Sequence, residues 1–180
     1  MKDIRFELPR FLNQLQKSGE FKTIYKQTKK YLEKCEKEWN KNFDFTDNSV
    51  RELTGLNLDK TFTVYITHPS LKNGQYWGDN NITWGATEKW ENYSTIYIWH
   101  EIMHAYFDKT DLSHAIIELI TDEELRKNLN KEKYPPFAGH KNLAKLKRKI
   151  LPFWKEYLKL KNKNIRKFQK LLQYKTIKNI

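Results

Sequence analysis

Between residues 61 and 67 the spacing of apolar side chains changes from helical to strictly alternating, and this change fixes the class of fold open to the chain. Thr61-Phe62-Thr63-Val64-Tyr65-Ile66-Thr67 alternates and is rich in β-branched and aromatic residues, as a strand with one buried face requires. Pro69 ends it. Lys72-Asn73-Gly74 and Asn80-Asn81 carry turn chemistry, and Gln75 to Trp77 and Ile82 to Trp84 read as further short strands. On both sides of this region the spacing is helical. Helices are predicted over residues 7–18 and 21–42, the second with Ile24, Tyr25, Tyr31, Leu32, Cys35 and Trp39 on one stripe. Ser49-Val50-Arg51-Glu52 reads as a capping box opening a short helix that closes near Gly55. Ile96, Trp99, Met103, Tyr106 and Phe107 form a stripe on a helix from Ser94. Ser113 can cap another helix reaching about Asn130. After the Tyr134–Gly139 linker a long basic helix is predicted from His140 to Tyr174, kinked or restarted at Pro152.

Strands between two helical regions imply an α+β fold, with a small antiparallel sheet packed beside the Ser94 helix. Three regions are expected: residues 1–48, an N-terminal helical region; residues 49–130, the core; and residues 131–180, a basic helical segment packed on that core through Leu143, Leu146, Ile150, Trp154 and Tyr157/Leu158. The chain has 180 residues and one cysteine, Cys35, so no intrachain disulfide is available. Cys35 lies on the apolar stripe and reads as a small buried thiol. The N-terminus lacks the apolar run of a signal peptide, and no stretch of about 20 apolar residues occurs. A cytoplasmic protein without a membrane span is the expectation. Residues 131–180 hold 16 Lys/Arg against 2 Glu, a balance of +14, whereas residues 1–130 balance at −2. The basicity therefore belongs to one segment. A solvated helix face is the plainer reading of it, and contact with nucleic acid or another anionic surface the sharper one.

The residues that carry chemistry are His100-Glu101-Ile102-Met103-His104. Side chains four apart on a helix lie on one face, so both imidazoles can aim a nitrogen at one ion. Zinc accepts neutral histidine nitrogens in tetrahedral geometry. Glu101 is rotated about 100° from His100; it is suited to hold a water and serve as general base. One Zn²⁺ per chain is expected. A catalytic zinc needs a third protein ligand. Thr110 stands where an extended metzincin-type motif would have a histidine. On the next helix His114, Glu118 and Asp122 fall at i, i+4 and i+8. Glu118, an acid inside Ile116-Ile117-Glu118-Leu119-Ile120, reads either as a glutamate on the polar side of an amphipathic helix or, more sharply, as the third ligand. Asp122 is placed to orient a ligand histidine from outside the metal shell. His114 reads as a supporting residue or as part of the polar face, and His68 as a strand-end surface residue.

His100-Glu101-Ile102-Met103-His104 followed by Glu118 and Asp122 resembles the gluzincin pattern of zinc metallopeptidases such as thermolysin. The resemblance covers about residues 61–125. It implies a zincin-like core, His100, His104 and Glu118 as zinc ligands, Glu101 as catalytic base, Asp122 supporting a histidine, and a preceding strand on the rim of the cleft, for which Ile82 to Trp84 is the candidate. The spacing from His104 to Glu118 is shorter than in thermolysin-like enzymes and closer to compact gluzincins. His100 to Tyr106 also resembles the active-site helix of SprT-like DNA-associated metalloproteases, which take a third histidine, often in a Gly-His context. Gly139-His140 and the basic tail fit that alternative. His140 is accordingly either an alternative ligand, an oxyanion donor at the cleft, or a helix-cap or surface residue. The expected function is hydrolysis of a peptide or protein. The alternatives are a DNA-associated protease and a non-catalytic, zinc-stabilised basic binding protein.

Overall fold

The computed structural model describes residues 4–7, 19–86, 90–131 and 139–177. Strand β1 (Ile4–Glu7) is followed by helix α1 (Gly19–Thr54), β2 (Phe62–Ile66), β3 (Asn73–Gly78), β4 (Asn81–Gly85) and α2 (Tyr93–Met103). Helix α3 (Asp111–Glu118) runs into a π-helical segment (Leu119–Leu125) and then α4 (Arg126–Asn130). A 3-10 turn (Lys141–Leu143) leads into α5 (Ala144–Leu158), and α6 (Ile165–Ile177) closes the described chain. The α+β class holds. No helix among the described residues is long and apolar enough to cross a membrane.

The sheet corrects the expected antiparallel arrangement. Its order is β1-β2-β4-β3, with β1/β2 and β2/β4 parallel and only β3/β4 antiparallel. The antiparallel pair is a two-residue hairpin with Asp79 and Asn80 both at positive φ, the backbone a type I′ turn demands. Strand β1 had no counterpart in the sequence pattern: the predicted helix over 7–18 begins on its last residue and otherwise falls outside the described residues, as does most of the Tyr134–Gly139 linker. Phe62, Val64 and Ile66 alternate inward and are fully buried, as is Ile82.

Helix α1 crosses both the expected boundary at residue 48 and the expected capping box. Its polar Asp47-Asn48-Ser49 run would end an isolated helix. Here Thr46, Val50 and Leu53 continue its buried stripe, and Trp99 Nε1 donates to Thr46 Oγ1 at 2.8 Å. Tertiary packing thus outweighs local preference. Gly55 ends α1 at positive φ. A Cβ there would lie 2.2 Å from the Lys163 carbonyl oxygen, so the α5–α6 connection sits against the end of α1. The start of α3 is capped by Thr110, whose hydroxyl accepts from Ser113 N at 3.2 Å, in place of the expected Ser113 cap. Pro152 lies inside α5 on its exposed face. The helical run breaks instead at 159–164, where Lys161-Asn162-Lys163-Asn164 offers nothing apolar to bury.

One core joins these parts. Trp39 of α1 and Trp99 of α2 pack with ring centroids 5.5 Å apart, and Trp154, Tyr157 and Phe168 belong to the same cluster. Tyr157 OH donates to the Leu53 carbonyl at 2.8 Å. Removing a fully buried aromatic costs about 3–5 kcal/mol. Trp154→Ala is therefore expected to lower unfolding free energy by that order in urea denaturation, with one cooperative transition. Loss of the C-terminal helices alone, in a separate earlier transition, would contradict a shared core.

Candidate metal centre

Helix α2 ends on the motif. His104 closes it, with its N–H bonded to carbonyls within the last turn, and the apolar face of Ile98, Trp99, Ile102 and Met103 is fully buried. That packing fixes the rotation of the helix and sends His100, Glu101 and His104 toward an open cleft of about 430 Å³. The far wall is the α2–α3 connection and α3. Asp108 braces it by accepting hydrogen bonds from Ser113, Thr110 (3.1 Å) and, from α6, Gln169 (3.1 Å).

Ring nitrogens of His100, His104 and His114 all lie within 4.8 Å of one another. Two zinc–nitrogen bonds of about 2.0–2.1 Å at the tetrahedral angle put their nitrogens about 3.3–3.4 Å apart; His100 Nε2 and His114 Nε2 are 3.3 Å apart. The other nitrogen of His100, Nδ1, lies 3.0 Å from Asp122 Oδ1, and Thr121 Oγ1 donates to that same carboxylate oxygen at 2.8 Å. Asp122 therefore holds the proton on Nδ1 and turns Nε2 toward the cluster. The donor set fits a divalent transition metal of zinc type.

Charge in the cluster agrees with this division. Burial pulls the His100 pKa down, but Asp122 and the nearby carboxylates more than offset it and raise it to about 9. Burial and the adjacent imidazoles lower His104 to about 3 and also lower His114, so both offer free lone pairs at neutral pH. Only His100 must give up a proton to a metal.

Glu101 is held by the sheet. Its Oε2 accepts from Tyr76 N of β3 at 2.9 Å, and burial raises its pKa against the opposing pull of His100 and Tyr76. Gly74 lets the Trp84 ring lie against β3 beside this contact: a Cβ there would meet that ring at 2.7 Å, while Glu101 Oε1 would stand at an ordinary 3.4 Å. The rim strand is thus β3, the edge of the sheet, and not the predicted Ile82–Trp84 segment, which lies inside it in β4.

Glu118 does not join the His100–His104–His114 group. It is fully buried. Its Oε1 accepts from His140 N at 2.9 Å and lies 2.6 Å from His140 Nδ1, while its Oε2 meets Lys147 Nζ at 2.6 Å. Burial opposes its charge, yet Lys147 and His140 together hold its carboxyl below the usual range. His140 is exposed, lines the cleft, and stands 4.5 Å from the His114 ring, centroid to centroid. His114, Glu118 and His140 make a second cluster of potential ligands, but the Lys147 ammonium already occupies the carboxylate. His68 lies at the surface, bonded to Ser70 and Gln27.

The reason lies in helix geometry. On a straight α-helix each step of four residues turns the side chain about 40°. The π segment begins after Glu118, and i→i+5 bonding gives roughly 4.4 residues per turn, which turns a four-residue step back by about 33°. Asp122 therefore returns near the azimuth of His114, and both reach His100. Glu118 is left rotated away, toward α5. A π segment has no local sequence signature here; spacing put His114, Glu118 and Asp122 on one stripe, and the apolar run around Glu118 favoured it over His114.

No protein-family model, no curated protein and no solved structure matches the chain.

Proposed function

We propose that the protein is a zinc-dependent metallopeptidase in which His100, His104 and His114 hold the metal and Glu101 is the general base. The observation that carries this reading is the convergence of three imidazoles beside a buried glutamate tethered to an edge strand. The gluzincin resemblance rests on Glu118 as ligand; with both its oxygens engaged by His140 and Lys147, the proposed set takes His114 in its place.

Zinc held there supplies Lewis acidity and lowers the pKa of water it binds. The protein's own groups do the rest. Tyr76 N ties down Glu101 Oε2, leaving Oε1 to take a proton from the attacking water and pass it to the departing amine. Asp122 keeps His100 in the tautomer that faces the cleft. His140, steadied by Glu118, is placed at the rim to donate a hydrogen bond to a developing oxyanion.

A peptide suits the cleft because its wall is a strand edge. Among the described residues strand β3 pairs only with β4. Tyr76 N faces the cleft, and by the two-residue alternation so do the N–H and carbonyl of Gly74. An extended peptide can add to that edge through its main chain, which brings its amide past Glu101.

Purified protein is expected to bind one zinc per chain, with three imidazole ligands by X-ray absorption. His100→Ala, His104→Ala and His114→Ala should each abolish stoichiometric binding, and folded Glu118→Gln should retain it. A carboxylate in the first shell, or full zinc content in His114→Ala, would return Glu118 to the ligand set.

Glu101→Gln should keep zinc and slow peptide hydrolysis by about 10²–10⁴-fold, the usual loss on removing a general base. Cleavage at the parent rate by this variant would show that Glu101 is not the base.

Asp122→Ala should leave the ligands in place but weaken zinc affinity by about 10–100-fold, read by competition with a chromogenic chelator. Unaltered affinity would mean that Asp122 does not orient His100.

A further inference from the structure

The C-terminal helices carry charge for which the proposed hydrolysis has no use. Lys141, Lys145, Arg148, Lys155 and Lys159 are all exposed and recur at the three- and four-residue steps, or their sum, that keep side chains on one helix face. Leu143, Ile150, Trp154 and Tyr157 are buried on the opposite face, and exposed Pro152 occupies the gap in the cationic row. At 1.5 Å per residue the row from Lys145 to Lys159 is about 21 Å long. Within residues 139–177 the sole carboxylate side chain is Glu156, which meets Lys159 at 2.7 Å. Lys141, Lys145, Arg148 and Lys155 make no ion pair among the described residues. Lys147, by contrast, turns inward to Glu118. Lys147, which faces the core, is neutralised, and of the outward row only Lys159 has a carboxylate partner among the described residues. A row of like charges repels itself and gains most from a linear partner of opposite sign.

We propose that this outer face of α5 docks the phosphate backbone of a nucleic-acid duplex. A duplex presents about one negative charge per 1.7 Å of axis, so a straight row of this length meets several phosphates at once. An anionic membrane surface is the other candidate partner. A helix bound there must offer a continuous apolar face to the lipid, and the apolar face of α5 is already spent in the core. The contacts are lysine-rich and directed at phosphate, so they position the protein without reading sequence. The inference is independent of the metal centre.

The test is fluorescence anisotropy of the full chain with a labelled random-sequence duplex of about 20 base pairs, titrated across salt. About four to five phosphate contacts predict a log–log salt slope of roughly −4 and a loss of affinity of roughly 250-fold between about 50 and 200 mM. The variant K145Q/R148Q/K155Q/K159Q should retain its helical circular dichroism, bind at least about tenfold more weakly at low salt and lose about 3 from the slope. The control K22Q/K26Q/K29Q/K30Q removes the same charge from exposed positions of α1 and should bind close to the parent. Equal losses in both variants would reduce the effect to net charge and overturn the proposal. So would parent-like binding by the α5 variant, or binding to phosphatidylserine vesicles without binding to the duplex.

Discussion

The contact between His100 and Asp122 is the constraint from which the site follows. Both side chains are buried, and neither tolerates burial without its partner. For them to meet, α2 must present His100 squarely to the helix that follows α3, and that helix must turn by less than an α-helix would after Glu118. The π segment supplies the difference. The same unwinding brings His114 into line with Asp122, so one distortion sets the tautomer of one imidazole and delivers another. A π segment sacrifices regular bonding geometry, and such segments gather at functional sites. Here the irregularity can be tied to a side-chain constellation that a straight helix would not form.

Much of the fold was legible because it rests on periodicity. The alternation of Phe62, Val64 and Ile66 and the stripe of Ile96, Trp99 and Met103 are properties of single elements, and packing preserved them. What the sequence could not express were relations between elements. Strand direction was one: β2 and β4 are parallel although only β3 separates them in the chain, because the hairpin places β3 outside β4. The length of α1 was another, since Thr46 is held by Trp99, some fifty positions away, and Val50 is buried in the shared core. In the site, the motif residues were legible at once. The third imidazole was not, because whether His114 or Glu118 faces His100 depends on how α3 packs against α2, and a π segment that no residue between Glu118 and Leu125 announces sets where Asp122 points.

The sheet edge and the motif helix also depend on one another. The proposed role of Glu101 as base requires an oriented carboxylate, and the orienting donor is a main-chain N–H of β3. A backbone donor is set by strand register, so it cannot be lost by rotamer exchange. Register is set in turn by the Asp79–Asn80 turn and by the inward packing of Ile82. Gly74 completes the arrangement: a side chain there would meet the Trp84 ring, and any resulting shift of β3 would carry Tyr76 N away from Glu101. Three small requirements in the hairpin thus converge on the position of one carboxylate.

Glu118 acquires a different role from the one its sequence context suggested. An acid within a run of isoleucines and leucines invites a ligand assignment, because an unpaired buried carboxylate is costly. Lys147 and His140 meet that requirement without a metal. Both come from the C-terminal segment, so the pair joins the segment to the wall of the cleft. Removing one partner of such a pair typically destabilises by about 3–5 kcal/mol, comparable with the loss of a core aromatic. The inward lysine and the outward row therefore do different work on one helix: Lys147 ties α5 to the body beside the site, and the remaining cations project from a helix that is already docked. A row of charges on a docked helix keeps its spacing when a partner arrives, and ordering costs that a disordered basic tail would bear on binding are met once, in folding.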